Sequence, residues 1–135
     1  MLMSKADRRF AELAAEWMLV EYYGCVHTRR ALRTKFAKVD FFASDVMGMK
    51  PDGLKYFVQA TAGGDSAVSQ RRKKLEKYSW DESDTVLVAV LRKEKVGRSY
   101  EYFFIIHQLL NADSWAPSVY KVFIPREWFK MYREE

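Results

Sequence analysis

Residues that staple or brace small proteins are scarce in this chain. One cysteine, Cys25, stands among 135 residues, so an intramolecular disulfide and a four-cysteine zinc site are both excluded. A single thiol suits a reducing compartment, and a cytoplasmic location is the expectation. Only two histidines occur, His27 and His107, far apart and without Cys or Asp at metal-ligand spacing. Long apolar runs are missing as well. Val86–Leu91 and Tyr102–Ile106 are strand-sized, which excludes a bilayer-spanning helix and a membrane partner. Met1 to Arg9 carries charge and leads into an amphipathic pattern, so no secretory leader is expected. There is no repeat, low-complexity stretch or linker, and the length predicts one domain over residues 1–135.

What the chain does have is core-forming and basic residues. Hydrophobic side chains make up 49% of it and aromatic ones 16%, enough to exclude intrinsic disorder. A domain this long buries roughly two-thirds of its unfolded surface and needs no staple. Lys and Arg number 23 against 18 Asp and Glu, for a net charge of +5. Arg29, Arg30, Arg33, Lys35 and Lys38 form one run without an acid, and Arg71-Arg72-Lys73-Lys74 form a second. Between the two runs lie Asp40, Asp45, Asp52 and Asp65, among strand formers. One such run is an ordinary solvated face. Two that bracket an Asp-bearing hairpin point to an anionic partner, nucleic acid first.

Phe10, Leu13, Ala14, Trp17 and Met18 recur at helical spacing with Asp7, Arg8, Glu12, Glu16 and Glu21 interleaved, predicting a helix over 4–23. Ser4 is its expected N-cap and Gly24 its stop. Residues 25–28 read as a short strand and 29–39 as an exposed loop. Asp45–Lys50 and Leu54–Thr61 read as a hairpin about the turn Pro51-Asp52-Gly53. The break Ala62-Gly63-Gly64 leads into a second helix, from Asp65 or Ser66 to about Tyr78, through the second basic cluster. Thr85–Leu91 reads as a strand buried on both faces, and Tyr100–Gln108 as a further strand across a turn at 92–99. A loop over 111–118, a strand over 119–124 and a helix opened by Pro125 complete the chain. A meander followed by a crossover helix and more strands implies an α/β fold, a mixed sheet flanked by helices.

Two polar residues interrupt the second strand of the hairpin. Period-two alternation puts Gln59 and Thr61 on one face and Ala60 on the other, with a solvent-facing Gln59 the plain alternative to a functional one. The segment Asp40-Phe-Phe-Ala-Ser-Asp45-Val-Met-Gly-Met-Lys-Pro-Asp-Gly-Leu-Lys-Tyr-Phe-Val-Gln59-Ala-Thr61 resembles the core hairpin of the PD-(D/E)xK nuclease superfamily, the restriction-endonuclease-like fold. In that superfamily an Asp opens one strand and a (D/E)-x-K tripeptide sits on the next. The helix around Glu12, its stop at Gly24 and the Arg-containing segment after it are similar to archaeal Holliday-junction resolvases. The similarity spans about residues 8 to 91.

The resemblance implies Asp45 as the metal-bridging carboxylate and Glu12 as the helix carboxylate, with Glu16 the alternative one turn on. Gln59 stands where the family has Glu or Asp, and Thr61 where it has Lys. Very-short-patch repair endonucleases look similar in departing at this point. Glu12, Asp45, Gln59 and Thr61 are thus the implied catalytic set. Glu12, Asp45, Gln59 and the Ala60 carbonyl are the implied ligands of Mg2+ or Mn2+. Lys55, Lys73 and Lys74 are candidates to replace the missing lysine.

A hard cation on oxygen ligands activates water near neutral pH and stabilises charge on the phosphorane-like oxygens. Arg29, Arg30, Arg33, Arg71, Arg72, Lys73 and Lys74 would neutralise backbone phosphates, positioning DNA without reading its sequence. The implied function is a metal-dependent DNA endonuclease acting on branched or damaged DNA, similar to small phage, viral or archaeal nucleases. A homodimer is its expected assembly, and the host cytoplasm its location if the source is viral. The alternative on the same fold is a non-catalytic DNA-binding or assembly module, which the absent Lys and second acid allow. A protein-interaction module with solvated basic clusters is a third reading. Cys25 and the four tryptophans read as core or interface residues, and His107 as a strand residue with a satisfied ring.

Overall fold

The computed structural model describes residues 10–30, 32–33, 38–39 and 44–133. The first helix, α1 (Ala11–Glu21), buries Ala11, Ala14, Ala15, Met18 and Leu19 along one side. Three of these five are alanines, which let the helix axis lie close to the sheet. It ends where Gly24 turns left-handed (φ 78) and the Cys25 N–H reaches back to the Leu19 carbonyl at 2.8 Å. The expected cap, Ser4, lies outside the described residues, as does Asp40.

Next come β1 (His27–Arg30), the small antiparallel pair β2 (Leu32–Arg33) and β3 (Lys38–Val39), and then β4 (Val46–Met49) and β5 (Lys55–Thr61). The first strand therefore starts two residues later than expected, and the stretch read as one loop over 29–39 contains strand pairing. Ladder bonds come from the backbone, so a short pair at a sheet margin needs no apolar alternation to announce it. The β4–β5 hairpin is antiparallel as expected, with Val46 opposite Val58. Its turn uses Gly53 at φ 88 and an Asp52 side chain that accepts from the Leu54 N–H at 3.2 Å.

Helix α2 (Asp65–Glu76) then crosses to β6 (Asp84–Val96), which pairs in parallel with β5. Strands β7 (Ser99–Asn111), β8 (Ser114–Trp115) and β9 (Tyr120–Ile124) and helix α3 (Arg126–Arg133) follow. The described residues form a seven-stranded mixed sheet in the order β1-β4-β5-β6-β7-β8, with β9 also on β7. This is the expected α/β architecture of a mixed sheet between helices. Other details differ from the reading. Gly64, and not Asp65 or Ser66, caps α2. The β6–β7 ladder continues to Val96 and Ser99, through residues read as a turn. There Lys93 pairs with Tyr102, and its ammonium sits 4.7 Å over the Tyr100 ring, so aromatic partners hold a polar strand. The loop over 111–118 contains β8.

The sheet has two covered faces. Val58, Ala60, Leu87, Ala89, Leu91, Phe104 and Ile106 pack beneath α1, with Trp128 of α3 in the same cluster. On the other face Val86, Val88, Val90 and Leu109 meet Val68 and Leu75 of α2. The run Val86–Leu91 is thus buried on both sides, as read. Among the described residues no helix is long and apolar enough to cross a membrane.

Where α1 crosses β4 the fit is tight. A Cβ on Gly48 would lie 2.8 Å from Cys25 Sγ and 3.0 Å from Leu19 Cδ1. Gly48→Ala is expected to lower unfolding free energy by about 1–3 kcal/mol in urea melts. An unchanged midpoint would show that this crossing has slack.

Candidate functional site

The hairpin places its polar residues by register. The Asp45 N–H donates to the Val58 carbonyl at 2.8 Å, and the Asp45 Oδ2 accepts from the Ala60 N–H at 3.0 Å. Both groups of Asp45 are therefore fixed across β5, and the residue is 1% exposed. Gln59 and Thr61 share the α2 face while Ala60 packs under α1, as alternation requires. Gln59 is 0% exposed, so it does not face solvent.

The cation that meets these oxygens comes from α2. Arg71 Nη1 donates to Gln59 Oε1 at 2.8 Å and lies 3.6 Å from Asp45 Oδ2. A buried carboxylate is costly without a counter-charge, and the guanidinium supplies one. The sequence groups Arg71 with the phosphate contacts and offers Lys55, Lys73 and Lys74 as the cation here. Helical spacing carries the signal that finds it. Val68 and Leu75 are the buried residues of α2, and Arg71 follows one by three and precedes the other by four. Lys73 and Lys74 point to solvent instead.

The other implied site residues have separate local roles. Thr61 Oγ1 accepts from the Gly63 N–H at 3.0 Å, so its hydroxyl holds the turn into α2. Glu12 stands on α1, over the opposite face, with its Oε1 buried. Glu16 accepts from Thr28 Oγ1 at 3.1 Å and lies 3.6 Å from Arg30 Nε, which binds α1 to β1. Among the described residues no three His, Cys, Asp or Glu side chains converge on one point.

The implied divalent ion can be tested against this donor set. Of the implied ligands Glu12, Asp45, Gln59 and the Ala60 carbonyl, Glu12 stands over the opposite face, and a guanidinium nitrogen already lies within 3.6 Å of both Asp45 Oδ2 and Gln59 Oε1. The residues as arranged do not fit Mg2+ or Mn2+, because a second cation between the same oxygens would meet Arg71.

Register also sorts the basic residues. Arg29 pairs with Met47, and Met47 with Phe57, so Arg29 shares the face of Gln59 and Arg71. Arg30 pairs with Val46 on the α1 face and is taken up by Glu16. Arg33 belongs to the β2–β3 pair. Arg72 leans away from Arg71, its guanidinium 4.6 Å over the Trp115 ring. His107 lies in β7 near Arg72 and Arg92. Burial, and then these two guanidinium groups, push its pKa below the usual imidazole range. No family model, curated protein or solved structure matches the chain.

Removing the Arg71 charge leaves Asp45 buried beside a neutral side chain. Arg71→Met is expected to cost about 3–5 kcal/mol in urea unfolding, and Asp45→Asn in the same chain to recover much of it. Additive losses would mean that the two groups act independently. His107 supplies a pH dependence of known sign. Its folded-state pKa is depressed, so its contribution is intact above the ordinary imidazole pKa and is lost as pH falls below it. Unfolding free energies at about pH 7.5 and about pH 5.5 should therefore fall with acid, and fall less in His107→Gln.

Proposed function

We propose that this chain is a nucleic-acid-binding domain of nuclease-like architecture that holds DNA without cutting it. The observation that carries the reading is Arg71, bridging Asp45 and Gln59 between the oxygens that a catalytic ion would need. With Thr61 in place of lysine and engaged by Gly63, the hairpin lacks the ammonium that would stabilise a phosphorane. What remains is a frame that presents basic side chains on one side.

Charge segregation across the sheet supports that use. The only charged residues of α1 are Glu12, Glu16 and Glu21, whereas α2 carries Arg71, Arg72, Lys73 and Lys74 against Asp65 and Glu76. Arg29 joins the α2 face from β1. The excess of cations on α2 draws a polyanion to that face, so its phosphates meet α2 first.

Hydrolysis is the second reading, and one observation favours it. Gln59 Nε2 is buried with no hydrogen-bond partner among the described residues, so Gln59 is incompletely satisfied where it stands. Such a group is free to gain from a different arrangement in which Arg71 withdraws.

The two readings separate in one gel assay on supercoiled plasmid and a labelled four-way junction, in magnesium, manganese or EDTA. Retardation in all three conditions without cutting is expected, weakening by about tenfold or more from low to physiological salt. Metal-dependent cleavage that disappears in Asp45→Asn would replace the binding reading with the nuclease. Failure to retard either substrate at low salt would remove nucleic acid as the partner.

A further inference from the structure

Helix α2 leaves part of its own sheet face uncovered. Beside it runs a groove of about 570 Å³, with Val90 and Arg92 of β6 and Ile105 and His107 of β7 against Arg72 and Lys73 of α2. That volume suits a ligand of nucleotide size. Arg92 is fixed in place, its Nη2 donating to the Gly63 carbonyl at 2.6 Å and its Nη1 to the Leu91 carbonyl at 2.9 Å. Arg72 lies against Trp115, and neither it nor Lys73 makes an ion pair among the described residues.

Three acids line the groove too, Asp65, Glu76 and Asp113, and none of them is paired with these cations among the described residues. Asp65 and Glu76 are the first and last residues of α2. With three acids among three cations, a phosphate is held only where it meets the cations clear of the acids, which a single terminal group can do and a backbone lying along the groove cannot. A terminal phosphate carries nearly twice the charge of a backbone phosphodiester near neutral pH. Arginine forks suit its oxygens, and the ring of His107 adds an N–H donor.

We propose that this groove is a phosphomonoester site that takes the terminal nucleotide of a nucleic-acid strand, its phosphate held by Arg72, Lys73 and Arg92. The strand-end part of the inference rests on the nucleic-acid reading above, whereas the phosphomonoester part stands without it. The site is distinct from the Asp45 cluster, which Arg71 serves from the other flank of the same helix.

The test is fluorescence anisotropy with an internally labelled single strand carrying a phosphate at its 5′ end, at its 3′ end or at neither. Adenosine monophosphate is titrated alongside by calorimetry. One phosphorylated strand is expected to bind at least about tenfold more tightly than the bare strand, the equivalent of one charge-assisted hydrogen bond. Arg72→Gln should erase that preference in a chain that still unfolds in one cooperative transition, while Lys95→Gln, at the exposed end of the β6–β7 hairpin, should retain it. Equal binding of all three strands, with no heat from the mononucleotide, overturns the site and leaves general DNA binding standing. Mononucleotide binding lost in Arg72→Gln, with no strand bound, supports the phosphomonoester site and removes the nucleic-acid reading instead.

Discussion

A carboxylate withdrawn from water must find a positive partner, and in this protein that requirement joins three elements at one point. Asp45 sits at the mouth of β4, takes a backbone N–H from β5 and faces a guanidinium from α2. The parallel crossover is thereby fixed not only by the valine layer beneath α2 but by charge above it. Gln59 extends the same arrangement, because its carbonyl gives the guanidinium a second acceptor. The arginine fork suits this geometry, since one planar group can address two oxygens on neighbouring strands.

The two faces of the sheet have different characters, and the difference begins in the helices. Against α1 the contact is close and apolar, with alanines on the helix and Gly48 on the strand. Against α2 the buried line of Val68 and Leu75 runs between two arginines that diverge, one toward β5 and one toward Trp115. A single helical stripe therefore serves the core, and its two margins serve electrostatics. Arg92 links these margins to the loop ahead of the helix by binding the Gly63 carbonyl.

Much of this was legible in the residues. The hairpin about Pro51-Asp52-Gly53, the crossover helix after Gly63-Gly64 and the doubly buried Val86–Leu91 strand all follow from local backbone preference and apolar periodicity. So does the shared face of Gln59 and Thr61. What composition concealed was pairing. The polar end of β6 reads as a turn because its partners, Tyr100 and Tyr102, are supplied by another strand. The fate of Arg71 was hidden for the same reason. In a run of four basic residues nothing marks which one turns inward until the positions of Val68 and Leu75 are taken as the helix's buried line. Resemblance to a nuclease hairpin drew attention to Asp45 and Gln59, but the cation between them belongs to this chain's own packing.

The solitary thiol of Cys25 lies beneath α1, within the cluster that Leu19 and Met18 complete. It is 2% exposed, and burial raises its pKa, so it is doubly slow toward an alkylating reagent while the helix is seated. Reaction at this one sulfur then keeps time with the lifting of α1 from the sheet, a local opening that need not involve the α2 face at all. The molecule carries its own clock for the helix on the side of the sheet away from α2.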